Sequence, residues 1–130
     1  MDNRRINERY CEIMMDLIDT EEELQYIKDA DVTIICLSSD DPKKFGRDGL
    51  THGICEKVSN KYKWSIPCDF TITIFEPNII GFTEEQLRIL IFHELLHVGI
   101  DGDALYCRKH DYEDFECIIR RYGIDWNKVD

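Results

Sequence analysis

The sequence predicts an α+β domain: an N-terminal helix, a small three-stranded and mostly antiparallel sheet, a helix carrying His93-Glu94-Leu95-Leu96-His97, and a C-terminal helix. Three observations lead there. Apolar residues recur every three or four positions near both ends of the chain, β-branched runs occupy its middle, and no repeat or Gly/Ser- or Pro-rich linker divides it. The order helix, strand, strand, strand, helix, helix is one in which a small sheet packs against helices. A length of 130 residues suits one domain covering 1–130.

The first helix is read from Ile6, Tyr10, Ile13, Met14, Leu17 and Ile18, whose steps of three and four make a single stripe. Thr20 and Glu23 have the spacing of a capping box, which starts a short second helix that packs Leu24 and Ile27. Asp31 to Leu37 is β-branched and nearly all apolar, as in a buried strand. Ser38 to Gly49, rich in Ser, Asp, Lys, Gly and Pro, reads as a loop, and His52 to Ser59 as a second strand. Phe70, Ile72 and Ile74 alternate with Thr71, Thr73 and Phe75, which fits a strand with one core face, and Pro77 ends it. Thr83 and Gln86 form another capping box. Leu87, Leu90, Ile91, Leu95 and Val98 continue at helical spacing until Gly99 and Gly102 mark the end. The last helix is expected to be capped by Asp111, to show Phe115, Ile118, Ile119 and Tyr122 to the core, and to close at Gly123.

Composition narrows the function classes. A hydrophobic fraction of 43% is enough to build a core. The net charge of −11, from 27 acidic and 16 basic residues, argues against nucleic acid and anionic membranes as partners, since phosphate binding needs a cationic surface. It leaves a peptide or protein substrate open and also serves solubility. Met1 to Arg5 leads into a charged helical pattern rather than an apolar signal sequence, and no apolar run is long enough for a bilayer. The expected location is therefore cytoplasmic. Six cysteines stand at positions 11, 36, 55, 68, 107 and 117 without a Cys-x-x-Cys pair, so most read as reduced, buried small hydrophobes.

The chemistry is concentrated in His93-Glu94-Leu95-Leu96-His97. Four residues is just over one helical turn, so both imidazoles project from one face, close enough to share a metal ion. Imidazole nitrogen is a good zinc ligand, and Glu94, one step round from His93, stands where it can take a proton from a metal-activated water. Catalytic zinc usually has three protein ligands and one open position. His110, the only histidine downstream of the motif, is the first choice for the third. Asp111, Glu113 and Asp114 are alternatives, as is Cys107. His52 reads as structural and stays outside the site. Tyr106 and Tyr112 are candidates either for an oxyanion donor or for packing. The strand Phe70 to Phe75 is a candidate edge for an extended peptide.

At these residues the chain resembles the phage metallopeptidase family of zincin-like proteins. The resemblance is carried by His93 to Val98 and by His110 to Phe115, ending in Arg121-Tyr122-Gly123; it is specific over 83–123 and looser upstream. It implies a minimal zincin-like fold, metal ligands at His93 and His97, a general base at Glu94, and a second motif at His110 and Asp111. It also implies a phage origin and action in the host cytoplasm. The chain departs from metzincins, lacking their closely following third histidine, and from the compact three-histidine pattern of zincin-like ribonucleases. The expected activity is that of a zinc-dependent metallohydrolase, first of all a peptidase. Its rivals are a metal-dependent hydrolase of a substrate such as RNA, for which Lys43, Lys44 and Arg47 or Arg108 and Lys109 supply local basic patches, and a metal-binding regulatory or interaction protein on the same scaffold.

Overall fold

The structure is a computed structural model that describes residues 4–45, 49–62, 64–65, 67–109, 115–123 and 125–128. It opens with a short strand, β1 (Arg4–Ile6), which the sequence pattern concealed. Ile6, assigned above to the helical stripe, belongs to this strand and is exposed. Helix α1 (Glu8–Thr20) follows, its first turn capped by the Asn7 side chain, which accepts from the Tyr10 amide at 3.0 Å. Tyr10, Met14, Leu17 and Ile18 form its buried stripe, as the spacing required.

The expected capping box at Thr20 does not form. Thr20 is the last residue of α1, and its hydroxyl donates to the Asp16 carbonyl at 2.8 Å. The chain then makes a 3₁₀ turn (Glu22–Leu24) without a side-chain cap before α2 (Gln25–Ala30). Leu24 and Ile27 are nevertheless buried, because their placement depends on the apolar face rather than on the cap.

The principal sheet has four strands, not three. In spatial order they are β1, β2 (Ile34–Ser39), β6 (Phe70–Phe75) and β5 (Gly53–Lys57). The outer pairings, β1 with β2 and β5 with β6, are antiparallel, whereas the central pair β2 and β6 is parallel, Ile34 facing Phe70 through to Ser39 facing Phe75. The loop before β5 contributes a small ladder of β3 (Lys44–Phe45) and β4 (Gly49–Leu50). Because β6 lies between β2 and β5, neither of its edges is free for a peptide; the edge positions belong to β1 and β5. All of β6 except Thr71 is buried, so it has more than one covered face.

Helices α1 and α3 (Glu84–Leu95) pack on each other and on one side of this sheet. The Thr83 capping box forms as expected: the Gln86 amide donates to the Thr83 hydroxyl at 3.1 Å, and the Thr83 amide donates to the Gln86 side chain at 2.8 Å. Helix α3 is not amphipathic. Ile89 and Phe92 are buried together with Leu87, Leu90, Ile91 and Leu95, the mark of a helix enclosed on most sides. It also ends earlier than the glycines suggested. Leu96 and His97 turn out of it, and Val98–Asp101 (β7) pairs with Ala104–Cys107 (β8) as an antiparallel hairpin. Gly99 lies inside that hairpin under the Tyr106 ring. Gly102, at φ 61°, makes the tight turn, where a residue without Cβ is favoured.

The last helix, α4 (Glu116–Tyr122), starts after Phe115 with no side-chain cap. Asp111, expected to cap it, lies outside the described residues. Phe115 and Ile118 are buried, and Gly123, at φ 83°, closes the helix. No helix among the described residues is long and apolar enough to cross a membrane.

Candidate metal centre

His93 sits in the last turn of α3, and His97 sits just beyond its end. The i, i+4 relation survives the helix end because the His97 amide still donates to the Glu94 carbonyl at 3.1 Å, tightening the final turn instead of unwinding it. The two imidazole rings are 5.1 Å apart between centroids and nearly edge to face, at 70°. Phe115 lies against both, at 5.4 Å from His93 and 5.0 Å from His97, and Trp126 is 6.1 Å from His93.

His97 is held by the hairpin. Its carbonyl accepts from the Arg108 amide at 2.5 Å, and its Nδ1 is 2.6 Å from the Arg108 carbonyl. A carbonyl can only accept, so Nδ1 carries the proton, and in the neutral ring the lone pair then sits on Nε2. That is the tautomer a metal-ligating histidine needs, set by a backbone oxygen. Arg108 is itself clamped: its guanidinium stacks on Phe115 with Cζ 4.7 Å from the ring centroid. On the adjoining strand, the Tyr26 hydroxyl donates to the Val98 carbonyl at 2.6 Å, fixing the start of β7.

Glu94 is 4% exposed, and one carboxylate oxygen stands 3.9 Å from His93 Nε2. Its neighbour across the interface is Gly53 on β5: a Cβ there would lie 3.4 Å from Glu94 Cγ and 3.2 Å from both Ile74 Cδ1 and the Thr73 carbonyl. The bare glycine lets the sheet edge approach the carboxylate-bearing side chain. Ligand atoms of His93, Glu94 and His97 all lie within 4.8 Å of one another, and no other group of this kind occurs among the described residues. Two imidazoles, one with its tautomer fixed, and an adjacent carboxylate are a donor set that suits a divalent transition metal.

The sequence model of the family described as "Putative phage metallopeptidase" matches residues 4–129. The chain belongs to that family. The match also embraces the upstream half, where the motif resemblance was looser, and membership in a metallopeptidase family implies a metal ion. No curated protein and no solved structure gives a significant match.

For this family member, the remaining candidates divide clearly. His110, Asp111, Tyr112, Glu113 and Asp114 lie outside the described residues. The hairpin does bring Arg108 beside His97, two positions before His110. Cys107 does not join the metal group; its Sγ is directed to β5, 3.5 Å from the Cys55 carbonyl. Tyr106 covers Gly99, which is the packing role. His52, read as structural from the sequence, stays outside the metal group. It immediately precedes β5, stacks at 5.2 Å on Phe82, and has its pKa lowered first by burial and then by nearby His93. Nothing local in the sequence marks it, since only the β5–β6 pairing carries it toward α3. A cavity of about 560 Å³ lies elsewhere: Ile35, Leu37 and Thr71 line it, on the sheet face away from α3.

Proposed function

We propose that this chain is a zinc-dependent metallohydrolase, acting on peptide or protein amide bonds, on a minimal zincin-like domain that spans the chain. The reading rests on one observation above all: His93, Glu94 and His97 converge within 4.8 Å, with the His97 tautomer already fixed by Arg108. In this proposal His93 and His97 hold the zinc, with His110 as third ligand. The bound ion would polarise the substrate carbonyl and increase the acidity of the attacking water.

The chain's own groups supply the rest. Glu94 takes the proton from the attacking water and delivers it to the leaving amine. Its burial keeps bulk water from competing for that carboxylate, and Gly53 leaves it the room to stay in place. Phe115 and Trp126 wall the imidazoles on one side and limit their rotation. The net charge of −11 supports a peptide substrate over RNA and suits work in a (host) cytoplasm.

The test combines metal analysis with a peptide library read by mass spectrometry, and an RNA substrate as a separate arm. Wild-type protein should contain zinc and cleave peptides, lose both on chelation and recover both on zinc addition. His93→Ala, His97→Ala and His110→Ala should lower metal content. Glu94→Gln should keep the metal while turnover falls by about 10²–10⁴. Full activity in Glu94→Gln, or chelator-sensitive cleavage of RNA alone, overturns the assignment, and unchanged zinc in His110→Ala removes that residue from the ligand set.

A further inference from the structure

Two cysteines face each other where the β7–β8 hairpin meets the edge strand of the main sheet, and neither takes part in the metal centre. We propose that Cys55 and Cys107 form an intramolecular disulfide when the protein meets a peroxide, and that this bond fastens the hairpin to β5.

The geometry carries the proposal. Strand β8 packs along β5. Cys107 Sγ lies 3.5 Å from the Cys55 carbonyl, to which the thiol donates. Each side chain is also the largest influence on the other's ionisation, raising Cys55 and lowering Cys107. Their environments differ in the useful way: Cys107 is exposed and reachable by an oxidant, whereas Cys55 is buried behind it and reachable chiefly by Cys107. An accessible attacking sulfur beside a sheltered resolving one is the arrangement that favours an internal link over oxidation to higher acids. The electrostatics agree. The neighbouring Cys55 side chain, and after it the Lys57 amide, bring the Cys107 thiol down to about 6 against partial burial, which eases loss of the proton it shares with the Cys55 carbonyl.

The other described cysteines lack this combination. Cys36 also has a sulfur neighbour, its amide donating to Cys11 Sγ at 3.4 Å and its thiol lying 3.6 Å from Met14 Sδ. Cys36, however, is wholly buried, and burial pushes its thiol up. Cys68 is buried and Cys117 half-buried.

The reaction balances with peroxide as oxidant. The Cys107 thiolate attacks one peroxide oxygen, the O–O bond breaks, and hydroxide departs, leaving Cys107 as sulfenic acid. The Cys55 sulfur then attacks the Cys107 sulfur; the S–S bond forms, the S–O bond breaks, and the oxygen leaves as water with the Cys55 proton. Two thiols are oxidised together, and one peroxide becomes two waters. Arg108, the residue after Cys107, anchors His97, so the link fixes the hairpin one position from the metal centre. The linkage itself does not depend on hydrolase activity.

The experiment uses the reduced full chain, treated with hydrogen peroxide at near-equimolar amounts, alkylated under denaturing conditions and digested without reductant. Mass spectrometry should find one dominant cross-linked pair joining Cys55 to Cys107, abolished by reductant, with Cys11, Cys36, Cys68 and Cys117 alkylated. Amide hydrogen exchange across Val98–Cys107 should slow in the oxidised protein. In Cys55→Ser, a sulfenic-acid probe should label Cys107. Over-oxidised Cys107 with free Cys55 in the wild type, a Cys11–Cys36 pair in its place, or a bond between two chains would each overturn the proposal.

Discussion

Gly53→Ala tests the closest approach between the sheet edge and the metal helix without touching a ligand. The added methyl would sit 3.2 Å from Ile74 Cδ1, 3.2 Å from the Thr73 carbonyl and 3.4 Å from Glu94 Cγ. Optimal carbon–carbon separations are about 3.5–4.0 Å, so something must yield by a few tenths of an ångström. The Thr73 carbonyl belongs to the central strand and Ile74 is fully buried, which leaves Glu94 or β5 itself to move. Overpacking of this kind costs about 1–3 kcal/mol. Restricting the unfolded chain returns about 0.4–1 kcal/mol, because no positive φ stands in the way. The net is about 1–2 kcal/mol of destabilisation, which for a chain of this size lowers the Tm by about 4–7 °C. Turnover should fall by at least about tenfold as Glu94 is displaced, since small misplacements of catalytic groups are costly. Zinc content should not change, because the histidines are untouched. Thermal unfolding, metal analysis and peptide cleavage on one preparation decide it. An unchanged or raised Tm together with wild-type turnover would refute the placement of β5 against Glu94.

Two further outcomes follow from the hairpin and its anchor. Gly102→Val puts a β-branched residue at φ 61°, where a new Cβ meets nothing within 4 Å, so the cost is backbone strain of about 1–3 kcal/mol. Loosening the hairpin should weaken zinc binding about tenfold in a chelator competition, through the His97–Arg108 rung, with helix content by circular dichroism unchanged; unaltered affinity in a demonstrably loosened hairpin would refute that coupling. The Tyr26 hydroxyl, half-buried and donating to the Val98 carbonyl, has its pKa raised from 10.0 to about 12, chiefly by desolvation. A raised folded-state value means its stabilising contribution is complete below pH 10 and is lost as pH rises through about 12. Tyr26→Phe should therefore show a shallower loss of stability over that alkaline window in denaturant titrations, and an identical slope would count against the half-buried hydroxyl.

Local signals were legible where the local pattern had no competitor. The Thr83–Gln86 box forms as read, and the α1 stripe buries Tyr10, Met14, Leu17 and Ile18, with Ile13 partly covered and Ile6 outside the helix. The same box pattern at Thr20 and Glu23 fails because α1 had not yet ended there: Thr20 is consumed by its own helix and bonds back to Asp16. Strand β1 was invisible because its three residues, two of them arginines, carry no apolar periodicity; its pairing comes from the backbone of β2. Helix α3 looked amphipathic only while Ile89 and Phe92 were left out of the stripe; with both buried, its periodic signal is weak. Gly102-Asp103 carried a hairpin signature, yet the preceding apolar spacing imitated a longer helix and absorbed Val98 and Gly99.

That early helix end changes what the histidine motif means physically. In the sequence, four-residue spacing on a continuous helix was sufficient reason for both rings to face one ion. In the structure only His93 owes its direction to α3. His97 owes its position to a final tight turn and its ring orientation to a rung that extends the β7–β8 pairing by one residue pair, from Val98 and Cys107 to His97 and Arg108. The centre is therefore assembled from two elements whose stabilities differ. The helix is enclosed by core on most sides, while the hairpin has an exposed second strand and an exposed turn. Local opening draws on the less buried element, so His97 is the ligand candidate that leaves first. Tyr26, Phe115 and the contact of Cys107 with β5 restrain the same hairpin, so in the proposed function metal affinity would depend on those contacts as well as on the five residues of the motif.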